Sequence, residues 1–290
     1  MPFVPYGTSV PSLNAWQFSF EGLTFGGKSG NYQLGPGGVQ GLGLANIESG
    51  DVVRPLANGE FPGYDAASGR DIVIQLVVSG ATPAAVDANI LALAAVMQPQ
   101  QTIEYPLFMQ KGGGTTYAVM ARPRKFAYSA DYQYVQTFFT IATIQFHVTD
   151  WRIYATTQQA SNTFSATAGN VSCAVGGGVA VNPVIVVTAG SAGCSPVIGV
   201  ASGVSQFLLD FTLLVMAAGS TLSIDTDFQT AIYTPSGGVG TSALAKLAYS
   251  PPEWGPLIAN ATAVLSFTDF SLGGGTSTAA IQWANGYAAI

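Results

Sequence analysis

The chain has 290 residues, more than one typical domain, and only 9 basic and 15 acidic residues. Its net charge of −6 argues against affinity for nucleic-acid phosphates, and its 16 Phe, 12 Tyr and 4 Trp argue against a disordered chain. Charged residues make up 8% of the sequence against roughly 25% in an ordinary soluble domain, which either a permanent assembly or a bias toward Ala and Gly explains.

The first half of the chain predicts strands and one helix. Trp16, Phe18 and Phe20 alternate with polar residues, which is typical of a strand with one aromatic face. A helix is predicted over 82–97, because Thr82 suits an N-cap, Pro83 suits the first turn and apolar residues then recur at helical spacing. Further strands are predicted at 72–78, 101–110, 115–122 and 134–149, with a glycine-rich loop or bulge at 35–43.

The second half predicts a β-sandwich, because Gly, Ser and Pro interrupt short apolar runs and no helical pattern is present. Its strands are predicted at 182–188, 206–215, 220–224, 229–233, 263–268 and 280–284. No charged residue occurs from 153 to 209, and eight of the nine basic residues precede this gap. The shift in composition predicts two domains, 1–154 and 155–290.

A phosphate-binding pattern occurs near the N-terminus. Residues 22–29 match G-x-x-x-x-G-K-[ST], with Lys28 as the lysine. Such a loop binds phosphate because a helix follows it directly. The glycine-rich stretch that follows Ser29 excludes a helix, so the match is interpreted as a coincidence in a chain with 35 glycines.

Other candidate catalytic or metal-binding residues lack partners. His147, the single histidine, is expected in a structural role on the polar face of a strand, with Thr143 and Gln145. Asp225 and Asp227 could together hold Ca²⁺, but no loop of binding spacing surrounds them, and a solvated turn is the favoured interpretation. The sequence therefore predicts no catalytic residue, no cofactor, no metal ligand and no enzyme.

The cysteines and the apolar segments are relevant to the redox environment of the protein and to membrane insertion. The first residues do not resemble a secretion signal, so Cys173 and Cys194 are predicted to be reduced and buried, although their spacing leaves a disulfide open. No stretch approaches the ~20 apolar residues that a membrane helix needs, so no membrane span is predicted.

Several short stretches, taken together, resemble a known family. In the first half they are WQFSFEGL at 16–23, GEFPGYD at 59–65 with GR at 69–70, ARPRK at 121–125 and TDWRIY at 149–154. In the second half they are NPVI at 182–185, GSTLSIDTD at 219–227 and the segment from PEW at 252–254 through Phe267. Their order and spacing resemble the distal tail proteins of siphovirus-type phages, most closely the minor tail proteins of phages that infect actinobacteria. The usual Pro-Gly-x-Asn turn of that family is replaced here by 255–260, which leaves the strand boundaries there open.

The resemblance implies a mainly β fold with one helix, in which a tail-tube-like β-barrel domain (1–154) precedes a galectin-like β-sandwich (155–290). It implies a structural virion protein, assembled in the host cytoplasm, that forms a ring of commonly six copies at the distal end of the tail. The implied partners are the tail tube protein, the tail-tip hub, receptor-binding or side-fibre proteins and the tape measure protein. No specific nucleic-acid binding is implied.

Two alternative functions remain open. A carbohydrate-binding module that attaches to host glycans would use Trp254 and Trp283 to stack on sugars, although core packing is the favoured interpretation of both residues. The major tail tube subunit would polymerise into long filaments, whereas a hub would stop at discrete rings.

The basic residues of the first half suggest where ring subunits meet. A ring covers one flank of every subunit with its neighbour, which reduces the need for surface charge. Arg70 and the cluster of Arg122, Arg124 and Lys125 are therefore expected to pair with acidic groups at the ring seam rather than with DNA.

Overall fold

A computed structural model describes residues 9–54, 58–99, 103–130, 137–160, 163–165, 170–248, 254–269 and 276–290. The chain divides into two compact units, Met1–Thr156 with Tyr287–Ile290, and Thr157–Gly286. Each unit is built mainly from antiparallel strands, and α1 (Pro83–Val96) lies in the first.

The strands of the first unit are β1 (Gln17–Phe20), β2 (Leu23–Gly26), β3 (Tyr32–Gln40), β4 (Ile47–Ser49), β5 (Val52–Val53), β6 (Glu60–Phe61), β7 (Asp65–Ala67), β8 (Arg70–Ser79), β9 (Tyr105–Gln110), β10 (Thr116–Tyr128), β11 (Phe139–Val148) and the start of β12 (Ile153–Ala160). The main sheet runs in the order β2-β1-β9-β10-β11-β8-β3. The two end strands approach each other, because the Leu34 N–H donates to the Gly27 carbonyl at 3.1 Å, but no ladder joins them among the described residues. The mainly β class with one helix is confirmed, and the predicted barrel is open rather than closed.

Aromatic rings fill the interior of this curved sheet. Phe20 and Phe146 have ring centres 4.9 Å apart, and Phe25 stacks on Phe18 at 6.0 Å. All four rings are buried, and each contributes on the order of 2–3 kcal/mol through apolar burial. The alternation of Phe18 and Phe20 therefore marks the core face that the sequence predicts.

The helix forms where the sequence predicts it. Thr82 is its N-cap and accepts a hydrogen bond from the Ala85 N–H at 3.2 Å, and Pro83 occupies the first turn. Val86, Ile90 and Leu93 are buried on one side of the helix, which packs against β8.

Trp16 departs from the prediction, because it precedes β1 and does not share the buried face of Phe18 and Phe20. Its backbone is left-handed (φ 62°). The glycine-rich stretch continues β3 through a bulge between Leu34 and Val39. β10 continues past the predicted end at 122 to Tyr128, and residues 134–136 of the predicted strand lie outside the described residues.

The second unit is a β-sandwich with strands β13 (Phe164–Ser165), β14 (Asn170–Ala174), β15 (Val184–Thr188), β16 (Pro196–Ser202), β17 (Ser205–Asp210), β18 (Thr221–Asp225), β19 (Thr230–Thr234), β20 (Thr241–Ser242), β21 (Thr262–Asp269) and β22 (Thr278–Tyr287). One sheet runs β13-β22-β15-β18-β19-β20 and the other β14-β21-β16-β17. Buried residues alternate along β15, β16 and β18, as expected for two sheets that share one core. The predicted strand at 206–215 ends early, because the Asp210 carboxylate accepts from the Thr212 N–H at 2.9 Å and turns the chain.

Candidate interface surfaces

Residues 44–69, between β3 and β8, form a two-stranded extension that we call the arm. β4 pairs with β7, and β5 pairs with β6. The ladder is tight, since the Asp51 carboxylate accepts from the Gly63 N–H at 2.7 Å. A Cβ at Gly63 would lie 2.0 Å from the Gly50 carbonyl oxygen, so this position requires glycine.

The arm has no core of its own. Every described side chain from 46 to 67 is exposed. The large apolar side chains among residues 44–69 are exposed by 53–86%; they are Leu44, Ile47, Val52, Val53, Phe61 and Tyr64. A two-stranded hairpin is marginally stable alone in water, and exposed apolar groups of this size mark interaction surfaces.

The arm is also acidic. Its four carboxylates are those of Glu48, Asp51, Glu60 and Asp65. Arg54, its single described basic residue, lies over the Phe61 ring at 4.8 Å. The arm therefore fits a surface that is partly apolar and partly basic. Sequence reasoning missed the arm. Its short apolar runs separated by glycines are a strand signal, but these strands pack against no core.

Arg70 fixes the base of the arm, and the predicted pairing of this residue at a seam is wrong. Only 5% of Arg70 is exposed. Its guanidinium donates to the carbonyls of Gly43 and Ala288, both at 2.8 Å, and to those of Gly41 and Trp151. Burial lowers the pKa of Arg70, and the charge of Asp150 acts in the opposite direction. The side chain is committed to backbone carbonyls of its own unit.

The basic cluster on β10 is only partly available. Arg122 Nε lies 3.5 Å from Glu104 Oε1, and its guanidinium donates to the Thr149 hydroxyl at 3.4 Å, so Arg122 has partners within the chain. Arg124 and Lys125 are exposed beside a bulge in β10. These two side chains remain candidates for an intermolecular contact.

The other predicted residues do not come together into a site. His147 lies on the less buried face of β11, and its Nδ1 is 2.8 Å from Asp71 Oδ1. Asp225 accepts from the Asp227 N–H at 3.0 Å within a turn, and Asp227 contacts Asn182. β3, not a helix, follows Lys28. The described residues contain no group of three or more His, Cys, Asp or Glu that could hold a metal ion.

Cys173 and Cys194 are buried and unbridged. Burial raises the pKa of the Cys173 thiol, and burial raises that of Cys194 to about 12. Because the thiol loses its proton only near this pKa, we expect a thiolate fraction on the order of one in ten thousand for Cys194 at pH 8. The folded protein should therefore resist labelling by iodoacetamide at pH 8, and both cysteines should react in concentrated urea. Rapid labelling of the folded protein, or a mass that reveals a disulfide, would contradict this prediction.

The two tryptophans of the sugar-stacking alternative differ in exposure. Trp283 is 3% exposed on β22 and cannot present a ring face to a ligand. Trp254 is half-buried. Its neighbours Pro252 and Glu253, part of the family-like segment, lie outside the described residues.

No helix among the described residues is both long and apolar enough to cross a membrane. No protein-family model and no curated protein sequence matches the chain.

Comparison with solved structures identifies the fold. The structure of the Dit protein of phage SPP1, described as a paradigm of the hub adsorption apparatus in phages that infect Gram-positive bacteria, is similar with a TM-score of 0.64 at 12% identity. The match covers 92% of this chain and 98% of that chain. Chains of the phage P2 baseplate in its activated conformation, with Ca and with Sr, are similar with a TM-score of 0.53 at 9% identity, over 92% of this chain and 97% of theirs. The predicted resemblance to phage distal tail proteins is thus confirmed at the level of the fold.

Proposed function

We propose that this chain is a non-enzymatic structural protein of a phage virion that forms a ring at the distal end of a long non-contractile tail. The ring joins the tail tube to the tail tip and its host-adsorption apparatus. The similarity to the SPP1 Dit protein supports this role, because it extends over 92% of the chain and includes both units rather than one common domain.

The observation that carries the proposal is the arm. It exposes six large apolar side chains that have no partner surface within the described chain. In a closed ring every arm meets one neighbour and no arm is left over, which is the general property of head-to-tail interfaces that close. Six copies are proposed from the family resemblance.

Each unit has a proposed role. The first, tube-like unit forms the ring and contacts the tail tube protein above and the tail-tip hub below, with the tape measure protein in the lumen. A negative net charge of −6 favours passage of DNA without specific binding. The second, galectin-like unit docks receptor-binding or side-fibre proteins. The virion is assembled in the host cytoplasm.

The burial of Trp283 weakens the carbohydrate-binding alternative, because it removes one of the two rings on which that function depends. The similarity to hub and baseplate proteins favours a hub over the main tube subunit.

The location in the particle tests this function. In virions that contain this chain, gold-labelled antibodies against residues 157–286 should bind at one position, the far end of the tail. Label along the whole tube would indicate the major tube subunit, and label at any other part of the particle would contradict the proposed position.

A further inference from the structure

A cavity of about 350 Å³ lies at the tip of the β9–β10 hairpin, away from the arm. We call it the Trp16 cavity; its lining residues are Trp16, Lys111, Gly112, Gly113, Thr115 and Tyr117. Its volume lies within the range of about 300–1,000 Å³ that is typical of ligand sites. No residue of the arm lines it, so its role is separate from that of the arm.

The backbone holds Trp16 in a strained conformation. Its φ of 62° is uncommon for a bulky residue. The Trp16 N–H donates to the Gln110 carbonyl at 2.6 Å, and the Trp16 carbonyl accepts from the Gly27 N–H at 2.8 Å. A Cβ at Gly26 would lie 2.5 Å from the same carbonyl oxygen, so the chain is closely packed there as well. These constraints leave Trp16 36% exposed, and strain of this kind clusters at functional positions.

Lys111 supplies a positive charge that no described acidic side chain neutralises. Its ammonium lies 5.9 Å from the centre of the Trp16 ring. No ion pair among the described residues involves Lys111. A cation–π contact at an exposed site is weak, which leaves the ammonium able to bind an anion.

Gly112 and Gly113 keep the cavity open. A Cβ at either position would meet no atom within 4 Å, and in this hairpin only Gly114 has a positive φ, of 81°. Neither packing nor backbone conformation therefore requires glycine at 112 or 113. Because these glycines have no side chains, they do not obstruct the opening of the cavity. No described hydrogen bond uses the backbone N–H groups of these two residues.

The remaining wall is fixed and aromatic. Tyr117 packs edge-on against Tyr287, with ring centres 5.7 Å apart. The cavity is thus lined by two aromatic side chains, one ammonium and two glycines whose N–H groups make no hydrogen bond to the described residues. A neutral sugar would leave the Lys111 ammonium beside the Trp16 ring without a counter-charge. A carboxylate on Lys111, with an apolar neighbour against the indole, fits this set of groups better.

We propose that the Trp16 cavity is a docking site for a peptide segment of another protein. An acidic side chain of the segment binds Lys111, and the adjacent apolar side chain packs on Trp16. Backbone carbonyls of the segment accept from the N–H groups of Gly112 and Gly113. This inference does not depend on ring formation.

A labelled peptide tests the proposal with the full chain. Fluorescence anisotropy would compare the fluorescein-labelled peptide Gly-Leu-Asp-Leu-Gly with its counterpart that has Asn in place of Asp. We expect the acidic peptide to bind at least tenfold more tightly. Lys111→Gln and Gly113→Val should each weaken its binding at least tenfold. The matched controls Lys28→Gln, at an exposed lysine, and Gly178→Val, at a glycine with equally open surroundings, should leave it unchanged.

Three results would overturn the proposal: equal binding of both peptides, no peptide binding, or unchanged binding by Lys111→Gln. Tighter binding of an oligosaccharide of glucuronic acid and N-acetylglucosamine would overturn it in favour of a glycan. The mass of the assembly should be measured on the same samples, because it tests ring formation separately from peptide binding. Normal rings that bind no peptide would contradict the docking site alone.

Discussion

A chain without the arm is expected to remain monomeric. In the variant, residues 47–67 are replaced by Asn-Gly. The Asn46 carbonyl accepts from the Ser68 N–H at 2.9 Å, so the two ends are placed for a two-residue hairpin turn. Because the described side chains of 46–67 are all exposed, the core of the first unit should be unaffected. Sedimentation velocity would measure the assembly, and thermal unfolding would verify the fold.

Single substitutions refine this prediction. Tyr64 and Val239 are both 86% exposed, the former in the arm and the latter in the second unit. Tyr64→Ser should weaken assembly at least tenfold, whereas Val239→Ser should not change it. Normal assembly of the arm-deleted chain would show that the subunits associate through another surface.

The charge of the arm suggests its counter-surface. Arg124 and Lys125 are exposed, and the arm contains four carboxylates. Reversal of both residues to Glu should therefore weaken assembly, and the effect should decrease at high salt because exposed charges are screened. Assembly that is insensitive to this reversal would exclude β10 as the surface that the arm binds.

Replacement of Arg70 by Met should destabilise the first unit by about 3–5 kcal/mol. Hydrogen bonds to a charged group contribute ~1.5–3 kcal/mol each, and these contributions are not additive when they share one side chain. Four carbonyls would lose their donor: those of Gly41 and Gly43, just before the arm, and those of Trp151 and Ala288. The midpoint of thermal unfolding of this unit should fall by on the order of 10 °C.

The control is Arg54→Met, at an arginine that is exposed in the arm and whose guanidinium lies over the Phe61 ring. This change should alter the free energy of unfolding by less than ~0.5 kcal/mol. Arg70→Lys should recover only part of the loss, since a single ammonium cannot reach the same set of carbonyls. A midpoint for Arg70→Met within ~2 °C of the unchanged protein would contradict this stabilising role of Arg70.

The sequence predicts the parts of this fold that local chemistry determines. The helix follows from Thr82, Pro83 and its apolar spacing, all of which act within a few residues. The alternation at Phe18 and Phe20 predicts β1 and its buried face for the same reason. Trp16 breaks that pattern, because hydrogen bonds to Gln110 and Gly27, distant in sequence or across a hairpin, set its backbone.

The interface surfaces could not be predicted in the same way. The arm consists of short strands that contact no core. Alternation of apolar and polar residues along these strands therefore does not mark a buried face. Arg70 was expected to pair with carboxylates, but the fold surrounds it with carbonyls from residues 41 to 288. Such long-range contacts leave no local signal in the sequence.

Native mass spectrometry of the purified full-length chain tests most directly whether its copies associate side by side. We expect one dominant species with a mass of six chains, which does not grow into filaments as concentration rises. A single-chain mass at micromolar concentration, in protein whose thermal unfolding confirms that it is folded, would contradict ring formation.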